Sequence, residues 1–361
     1  KKYSKFLVTT VEEATYALSK ILDAGTQKNV IELGWIKNVR VSIPRSIITL
    51  ALPSHANSQR DRIVQEAREV ILAFDDIEDL QIELDNSAAQ ATSTSENNTP
   101  QLQRIKGIKQ IIAVSSGKGG VGKSTIAVNL ACSLAKLGLK TGLLDADIYG
   151  PNTPSMLGVS EENPKVHGSG NEQRLIPIEK HGISIVSMGF LIEEGQPVIW
   201  RGPMLNSIIR QFLYQVEWNN LDFLVIDLPP GTGDAQISLA QSVPIAGAII
   251  VTTPQKVSLQ DSRRGLAMFK QLGVPLLGVV ENMSVFIPPD QPNKKYEIFG
   301  NGGGELLAYE NNLPLLAKIP IEMPVVIESN LGVPISISEP NAKSSIKFQE
   351  LAILVKSKYL S

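Results

Sequence analysis

The sequence predicts an α/β protein in which a mostly parallel sheet is covered by helices on both faces, preceded by a small α+β domain. Three observations carry this expectation. In the longer, second part of the chain, short and nearly continuous Val/Ile/Leu runs alternate with helical stretches, the pattern of strands buried on both faces. Residues 86–100, NSAAQATSTSENNTP, hold no Leu, Ile, Val or aromatic side chain, so they cannot bury enough apolar surface to offset the entropy of ordering them. The segment before them has its own, denser alternation of helix and strand signals.

Taken in order, residues 1–85 predict helix, two strands, helix, strand. Val11, Ala14, Leu18, Ile21 and Leu22 fall at helical spacing, as do Ile63, Ala67, Val70, Ile71 and Phe74. Val39/Val41/Ile43, Ile48/Leu50/Leu52 and Leu80/Ile82/Leu84 alternate with period two, so they belong in strands. Residues 86–104 form a flexible linker to a domain at 105–361. There, strands are expected at 111–114, 141–144, 183–186, 223–226, 248–251 and 276–280. A last helix carries Ile346, Leu351, Leu354 and Val355 on one side among Lys343, Lys347, Lys356 and Lys358. Its apolar stripe is modest and lacks Trp, so docking onto the domain is preferred over lying on a membrane.

Composition narrows the class of protein. The 361 residues include 34 Lys+Arg against 36 Asp+Glu, a net charge of -2, which gives no long-range field toward nucleic acid or anionic lipid. A single Cys excludes an intramolecular disulfide framework. No run of about 18 apolar residues stands out as a membrane span. The first twenty residues lack the apolar core of a secretion signal, so the expected compartment is the cytoplasm.

Chemistry concentrates after the strand at 111–114, in SSGKGGVGKST. Gly117, Gly122, Lys123 and Ser124 satisfy G-x-x-x-x-G-K-[ST] with a strand before and a helix after, the context a phosphate-binding P-loop requires. The backbone N–H groups of Gly117, Lys118, Gly119, Gly120, Val121 and Gly122 can turn inward around a β-phosphate, which the helix N-terminus also favours. Lys123 supplies a point charge to β/γ oxygens and Ser124 a hydroxyl ligand for Mg²⁺. Thr125 caps the helix or touches an α-phosphate. Two further strands end in carboxylates, GLLDADIYGPN in Asp145 and Asp147 and FLVIDLPPGTGD in Asp227, at the carboxyl ends where a parallel sheet binds ligands. Asp227 is expected to hold Mg²⁺ with support from Asp145, Asp147 to orient the attacking water, and Gly231 to offer its N–H to a γ-phosphate. An isolated Asp at a strand end is otherwise a cap or turn former.

Lys118 makes the loop GKGGVGKS, which resembles the deviant Walker A motif of the MinD/ParA/nitrogenase-iron-protein class. LLDADIYGPNTPSMLG, VIWRGPMLNSIIRQFL, LDFLVIDLPPGTGDAQ, TTPQKVSLQDSRRGLAMF and ENMS followed by FGNGGGE are similar to the Mrp/ApbC family of P-loop ATPases, from about Lys109 to Leu331. Residues 7–84 resemble the MIP18-type domain found at the N-terminus of such proteins. The resemblance implies ATP and Mg²⁺ as ligands, hydrolysis, a homodimer in which Lys118 reaches the partner's phosphates, and a base contact at Asn282, where Asn could equally cap a turn. It also implies a [4Fe–4S] cluster passed to apoprotein clients.

The sequence departs from that family in its thiols. The interval between ENMS and FGNGGGE is VFIPPDQPNKKYEI, without the C-x-x-C whose thiolates two protomers pool. The MIP18-type signatures are replaced by DAGTQKN and LPSHANSQRD. Cys132 sits in AVNLACSLAKLG, spaced as a packed core residue, and no iron–sulfur ligand is identified. His55, His167 and His181 have no metal-ligand spacing. Arg201 is equally a contact or a structural ion pair, and Gly302-Gly303-Gly304 is expected to be a flexible turn rather than an anion nest. The function expected is thus an ATP-dependent iron–sulfur cluster carrier. The alternative is a nucleotide-switched scaffold that positions a partner protein or membrane site without holding metal.

Overall fold

The structure, a computed structural model, describes residues 9–23, 26, 28–41, 45–51, 59–74, 76–77, 79–84, 105–168, 173–191, 208, 211–291 and 293–360. His55, Arg201 and the expected linker at 86–104 lie outside them. The chain divides into two compact units, Lys1–Thr99 and Pro100–Ser361.

The first unit runs α1 (Val11–Leu18), β1 (Ile36–Arg40), β2 (Arg45–Leu50), α2 (Arg60–Leu72) and β3 (Asp79–Leu84). A capping box starts α1: the Thr10 hydroxyl accepts from the Glu13 N–H while the Glu13 carboxylate accepts from the Thr10 N–H, which satisfies two otherwise orphaned donors. β1 and β2 pair antiparallel and β2 and β3 parallel. A parallel pair needs a crossover, and α2 supplies it while burying Ile63, Ala67 and Ile71 against Leu18, Trp35, Ile48, Leu50 and Leu80. Asp23, in the segment where the Asp-Pro signature is missing, is buried and accepts from the Thr26 N–H and hydroxyl and the Gln59 amide.

The second unit is built on an eight-stranded sheet of order β13-β12-β11-β4-β10-β5-β9-β8. Its strands are β4 (Ile108–Ser116), β5 (Thr141–Asp145), β8 (Ile178–Lys180), β9 (Ile183–Ser187), β10 (Leu221–Asp227), β11 (Gly247–Thr252), β12 (Leu276–Phe286) and β13 (Leu315–Ile321), with β6 (Lys165–His167) and β7 (Arg174–Ile176) forming a separate hairpin. All neighbours in the large sheet are parallel except β8 with β9. The helices are α3 (Lys123–Lys136), α4 (Thr153–Met156), α5 (Asp234–Ser242), α6 (Lys256–Gln271), α7 (Gly303–Glu310), α8 (Met323–Asn330), α9 (Ile335–Ser338) and α10 (Lys343–Tyr359). Two apolar clusters pack the sheet, one around Ile111, Leu224, Ile250 and Phe269, the other around Ile112, Val225, Val251 and Phe348. Consecutive strand residues therefore face opposite layers, the reason the runs are continuously apolar.

Each of the six expected strands is present and extends further. β13, β8 and the β6/β7 hairpin were not expected: LLAKIPI in β13 is interrupted by Lys318 and Pro320 and is only partly buried. The last helix docks on α3 and β13, but its inward face is Phe348, Leu351, Ala352 and Val355, whereas Ile346 and Leu354 are exposed. Tyr359 anchors its end by donating to the Ala246 carbonyl at 2.8 Å.

Candidate functional site

β4 ends in the glycine loop, and α3 begins at Lys123 with Gly122 at its N-cap in the left-handed region, φ 81°. Gly120 is also left-handed, φ 78°, a conformation that only glycine adopts at little cost. Gly117 is required for a different reason: a Cβ there would collide with the backbone of Asp261 and Ser262 in α6. A cavity of about 410 Å³ opens beside the loop, within the range of ligand sites. Lys118, Gly119, Gly120, Gly122, Lys123, Ser124 and Thr125 line it, together with Asp147.

Parallel register places Asp227 of β10 level with Asp145 of β5, and Asp145 level with Ser187 of β9. Lys123 lies between the carboxylates, 2.5 Å from Asp227 Oδ1 and 3.3 Å from Asp147 Oδ2. Burial opposes the ammonium, but Asp227 and Asp147 outweigh it and raise the Lys123 pKa. Burial pushes the Asp227 carboxyl up against the pull of Lys123 and Ser124. Asp227 Oδ2 is buried without a hydrogen-bond partner. An unpartnered buried carboxylate oxygen is costly and fits a site that receives a cation.

Asp145 was expected beside the metal; like Asp227 it lies outside the cavity lining, but unlike Asp227 it has both carboxylate oxygens paired. Its Oδ1 accepts from the Asp147 N–H at 3.1 Å, and its Oδ2 accepts from the Ser187 hydroxyl at 2.9 Å and the Thr153 N–H at 3.3 Å. Fully buried beside Asp227, its carboxyl is pushed up to about 7. It fixes the segment that carries Asp147, whose own Oδ1 accepts from the N–H groups of Tyr149 and Gly150. Gly231, φ 91°, has the left-handed backbone of a pivot, but its N–H donates to the Ser116 carbonyl at 3.0 Å instead of facing the cavity. Asn282 lies outside the cavity lining, buried behind the loop, with Nδ2 donating to the Val121 carbonyl at 2.8 Å.

The opposite walls were not foreseen. Asn152, Ser155 and Met156 at α4 and Val325, Val326, Ser329 and Asn330 of α8 complete the cavity. The α4 wall falls in the stretch LLDADIYGPNTPSMLG without having been assigned to the site, no motif marks α8, and α8 buries none of its residues. The two walls are joined just beyond their helices, where the Gly158 and Gly332 backbones meet with φ 67° and 74°, too close for a Cβ on Gly332. The Gly332 carbonyl also accepts from His181 Nε2 at 3.0 Å.

Other candidates resolve differently. Gly303 and Gly304 begin α7 packed against Pro254 and Glu281, and the Gly304 N–H donates to the buried Glu281 carboxylate at 2.6 Å. The run is a helix start already filled by an internal carboxylate. Where a C-x-x-C would lie, Phe286 and Tyr296 exchange backbone hydrogen bonds at 2.9 Å. Cys132 is fully buried, and burial pushes its thiol up to about 12. His167 is an exposed residue of β6, and the described residues contain no cluster of three or more His, Cys, Asp or Glu side chains suited to a metal. None of the described helices is long and apolar enough to cross a membrane.

Comparison with known proteins agrees with this geometry. A family model described as NUBPL iron-transfer P-loop NTPase matches residues 107–356, and one described as iron-sulfur cluster assembly protein matches residues 12–84. The iron-sulfur cluster carrier protein of Synechocystis is 49% identical over 336 residues, 93% of this chain and 94% of that protein. Among solved structures, the nucleotide-binding protein of Archaeoglobus fulgidus in complex with ADP is 38% identical, with a TM-score of 0.56 over 63% of this chain and 88% of that one. MinD of Pyrococcus horikoshii complexed with Mg-ADP shares the fold, at 23% identity and a TM-score of 0.51, over 69% of this chain and 96% of that one.

Proposed function

Because the chain belongs to the NUBPL iron-transfer P-loop NTPase family, we propose that it is an ATP-hydrolysing iron–sulfur cluster carrier, working as a homodimer that delivers clusters to apoprotein clients. The observation that carries the ATPase half is Lys123, buried under the phosphate loop between Asp227 and Asp147. Its charge lies on the two carboxylates. An incoming triphosphate offers denser negative charge, so Lys123 swings to the β/γ oxygens, and Asp147 Oδ2 is released. Held through Oδ1 by two backbone N–H groups, that carboxylate then accepts a proton from the attacking water. The Gly231 N–H reaches a γ-phosphate only by leaving the Ser116 carbonyl, so this turn reports nucleotide state. Ser124 and Asp227 fit a magnesium ion, which when bound supplies charge compensation to the phosphates. Lys118, half-buried on the cavity wall, is placed to reach nucleotide bound by a second copy.

The cluster is cargo, and this chain is poorly equipped to grip it alone. A [4Fe–4S] cluster takes about four thiolates, whereas the chain has one Cys, whose thiol is buried and protonated. The cluster's thiolates therefore come from a thiol-bearing client or small molecule. The names of the relatives favour a carrier over the metal-free scaffold. Anaerobic incubation with iron and sulfide, metal counting, and transfer to an apo-ferredoxin with and without ATP test this reading. We expect a labile, substoichiometric cluster whose transfer responds to ATP. Failure to promote transfer under any nucleotide condition would leave only the scaffold.

A further inference from the structure

At the opposite end of the sheet from the phosphate loop, the chain builds a second cavity, of about 660 Å³. It lies where β4 and β10 begin, beside Gly107 and Asn220. β4 has nine residues, so at about 3.3 Å per residue the two cavities are roughly 25 Å apart. Leu213, Val216 and Trp218, all buried, form its apolar floor, and Lys106, His167 and Arg174, all exposed, stand on its rim. The β6/β7 hairpin brings His167 and Arg174 directly opposite each other, and cross-strand partners share one face. Of the residues in these two strands only Leu175 packs on the core. The hairpin is instead fixed to the cavity wall by its backbone: the Leu175 N–H donates to the Gln215 carbonyl at 2.8 Å, and the Glu217 N–H to the Leu175 carbonyl at 2.9 Å. What the hairpin adds to the domain is the pair of side chains it holds at the rim.

These cations are not used internally. Arg263 and Arg264 pair with Glu310 and Asp261, whereas Arg174 donates to the neighbouring Gln173 carbonyl at 3.1 Å, and neither it nor Lys106 has an ion-pair partner among the described residues. Trp218 Nε1 is buried without a hydrogen-bond partner among the described residues, and a buried donor without an acceptor is costly. The other edge of that ring is its seat, with Cζ3 3.1 Å from where a Cβ on Gly142 would stand.

We propose that this cavity binds a small organic monoanion, an aromatic carboxylate, at a site separate from the phosphate loop. The Arg174 guanidinium presents a planar fork that matches a carboxylate, and Lys106 adds a second positive charge. The aromatic body packs on the apolar floor, the division of labour of ligand sites, in which an apolar lining carries a few converging polar groups. Glu217 stands on the same rim, and its carboxylate repels ligands that carry several negative charges. The site therefore favours a single carboxylate over phosphate.

Isothermal titration of the full chain with 2-naphthoate, 2-naphthamide and inorganic phosphate tests the site. 2-Naphthoate should bind saturably, and the neutral amide, which has the same rings, about tenfold more weakly, the scale of one charge-assisted pair. Phosphate should not displace the naphthoate. Arg174→Ala and Lys106→Ala should each weaken naphthoate binding by about tenfold and leave the affinity for MgATP as it is; both side chains are exposed, so the core is untouched. Arg174→Lys, which keeps the charge but loses the fork, should fall between. In an indole ¹⁵N spectrum, with the Trp218 resonance identified by its loss in Trp218→Phe, naphthoate should shift that resonance. Absent or non-saturating binding overturns the proposal, as does equal affinity for naphthoate and its amide. Full affinity in both Arg174→Ala and Lys106→Ala, or a Trp218 resonance that does not move, places the probe elsewhere and also overturns it.

Discussion

At the residue scale, Lys123 neutralises the buried carboxylates of Asp227 and Asp147. Lys123→Ala should abolish hydrolysis and should also cost stability, since removing one partner of a buried ion pair leaves uncompensated charge. The pH dependence follows from Asp227, whose pKa is already raised by burial. With the cation gone it rises further above the unfolded value of 3.8, so the folded state holds its proton more tightly. A carboxyl shifted upward contributes stability at low pH that is lost as pH climbs toward the folded pKa. The melting-point deficit of Lys123→Ala against wild type should therefore be larger at pH 8 than at pH 5. An equal deficit at both would show that the cation's neutralising role is not the source. Asp147→Asn keeps the two hydrogen bonds that position the side chain or close analogues of them. It should bind ATP normally while slowing turnover about 10²-fold, the scale of a positioned proton acceptor. Single-turnover assays would detect unchanged hydrolysis, in which case the water is oriented elsewhere.

At the element scale, α10 covers α3, and Cys132 lies in the cluster between sheet and helices. With the thiol pushed up to about 12 from 9.0, the reactive thiolate is scarce at pH 8. Iodoacetamide should leave the native chain unmodified over hours, and truncation before Lys343 should make Cys132 alkylate readily. Rapid labelling of the intact chain would contradict the burial. The same elements show what the sequence makes legible. The phosphate loop is readable because glycines, lysine and serine lie within eight consecutive positions and act through local backbone geometry. The contacts of Gly117 against α6, of Asp145 behind Asp147 and of Asn282 behind Val121 depend on neighbours distant in sequence, so residue type alone does not show them. α8 was not read for a related reason: its Met323, Val326 and Ile327 fall at helical spacing but stay exposed, and only the tertiary fold brings its side chains to the cavity. Strands buried on both faces announced themselves, while β13, with Lys318 and Pro320 in its run, did not.

At the scale of the whole molecule, the chain falls into two units, and each of the two has its own apolar core. A fragment of residues 105–361 should therefore fold and hydrolyse ATP at a rate within a few-fold of the full chain. Aggregation of that fragment, or loss of turnover in a folded one, would show that the N-terminal unit completes the catalytic half. The contact between Gly158 and Gly332 has a consequence for which ligands this larger unit admits. Because the joint between the α4 and α8 walls is a contact of two glycine backbones, it has no side chain of its own to rearrange. The opening behaves as a gauge of fixed bore. ATP analogues bearing bulky substituents on the base or ribose should be turned away on size alone, with the discrimination lost if the joint is loosened.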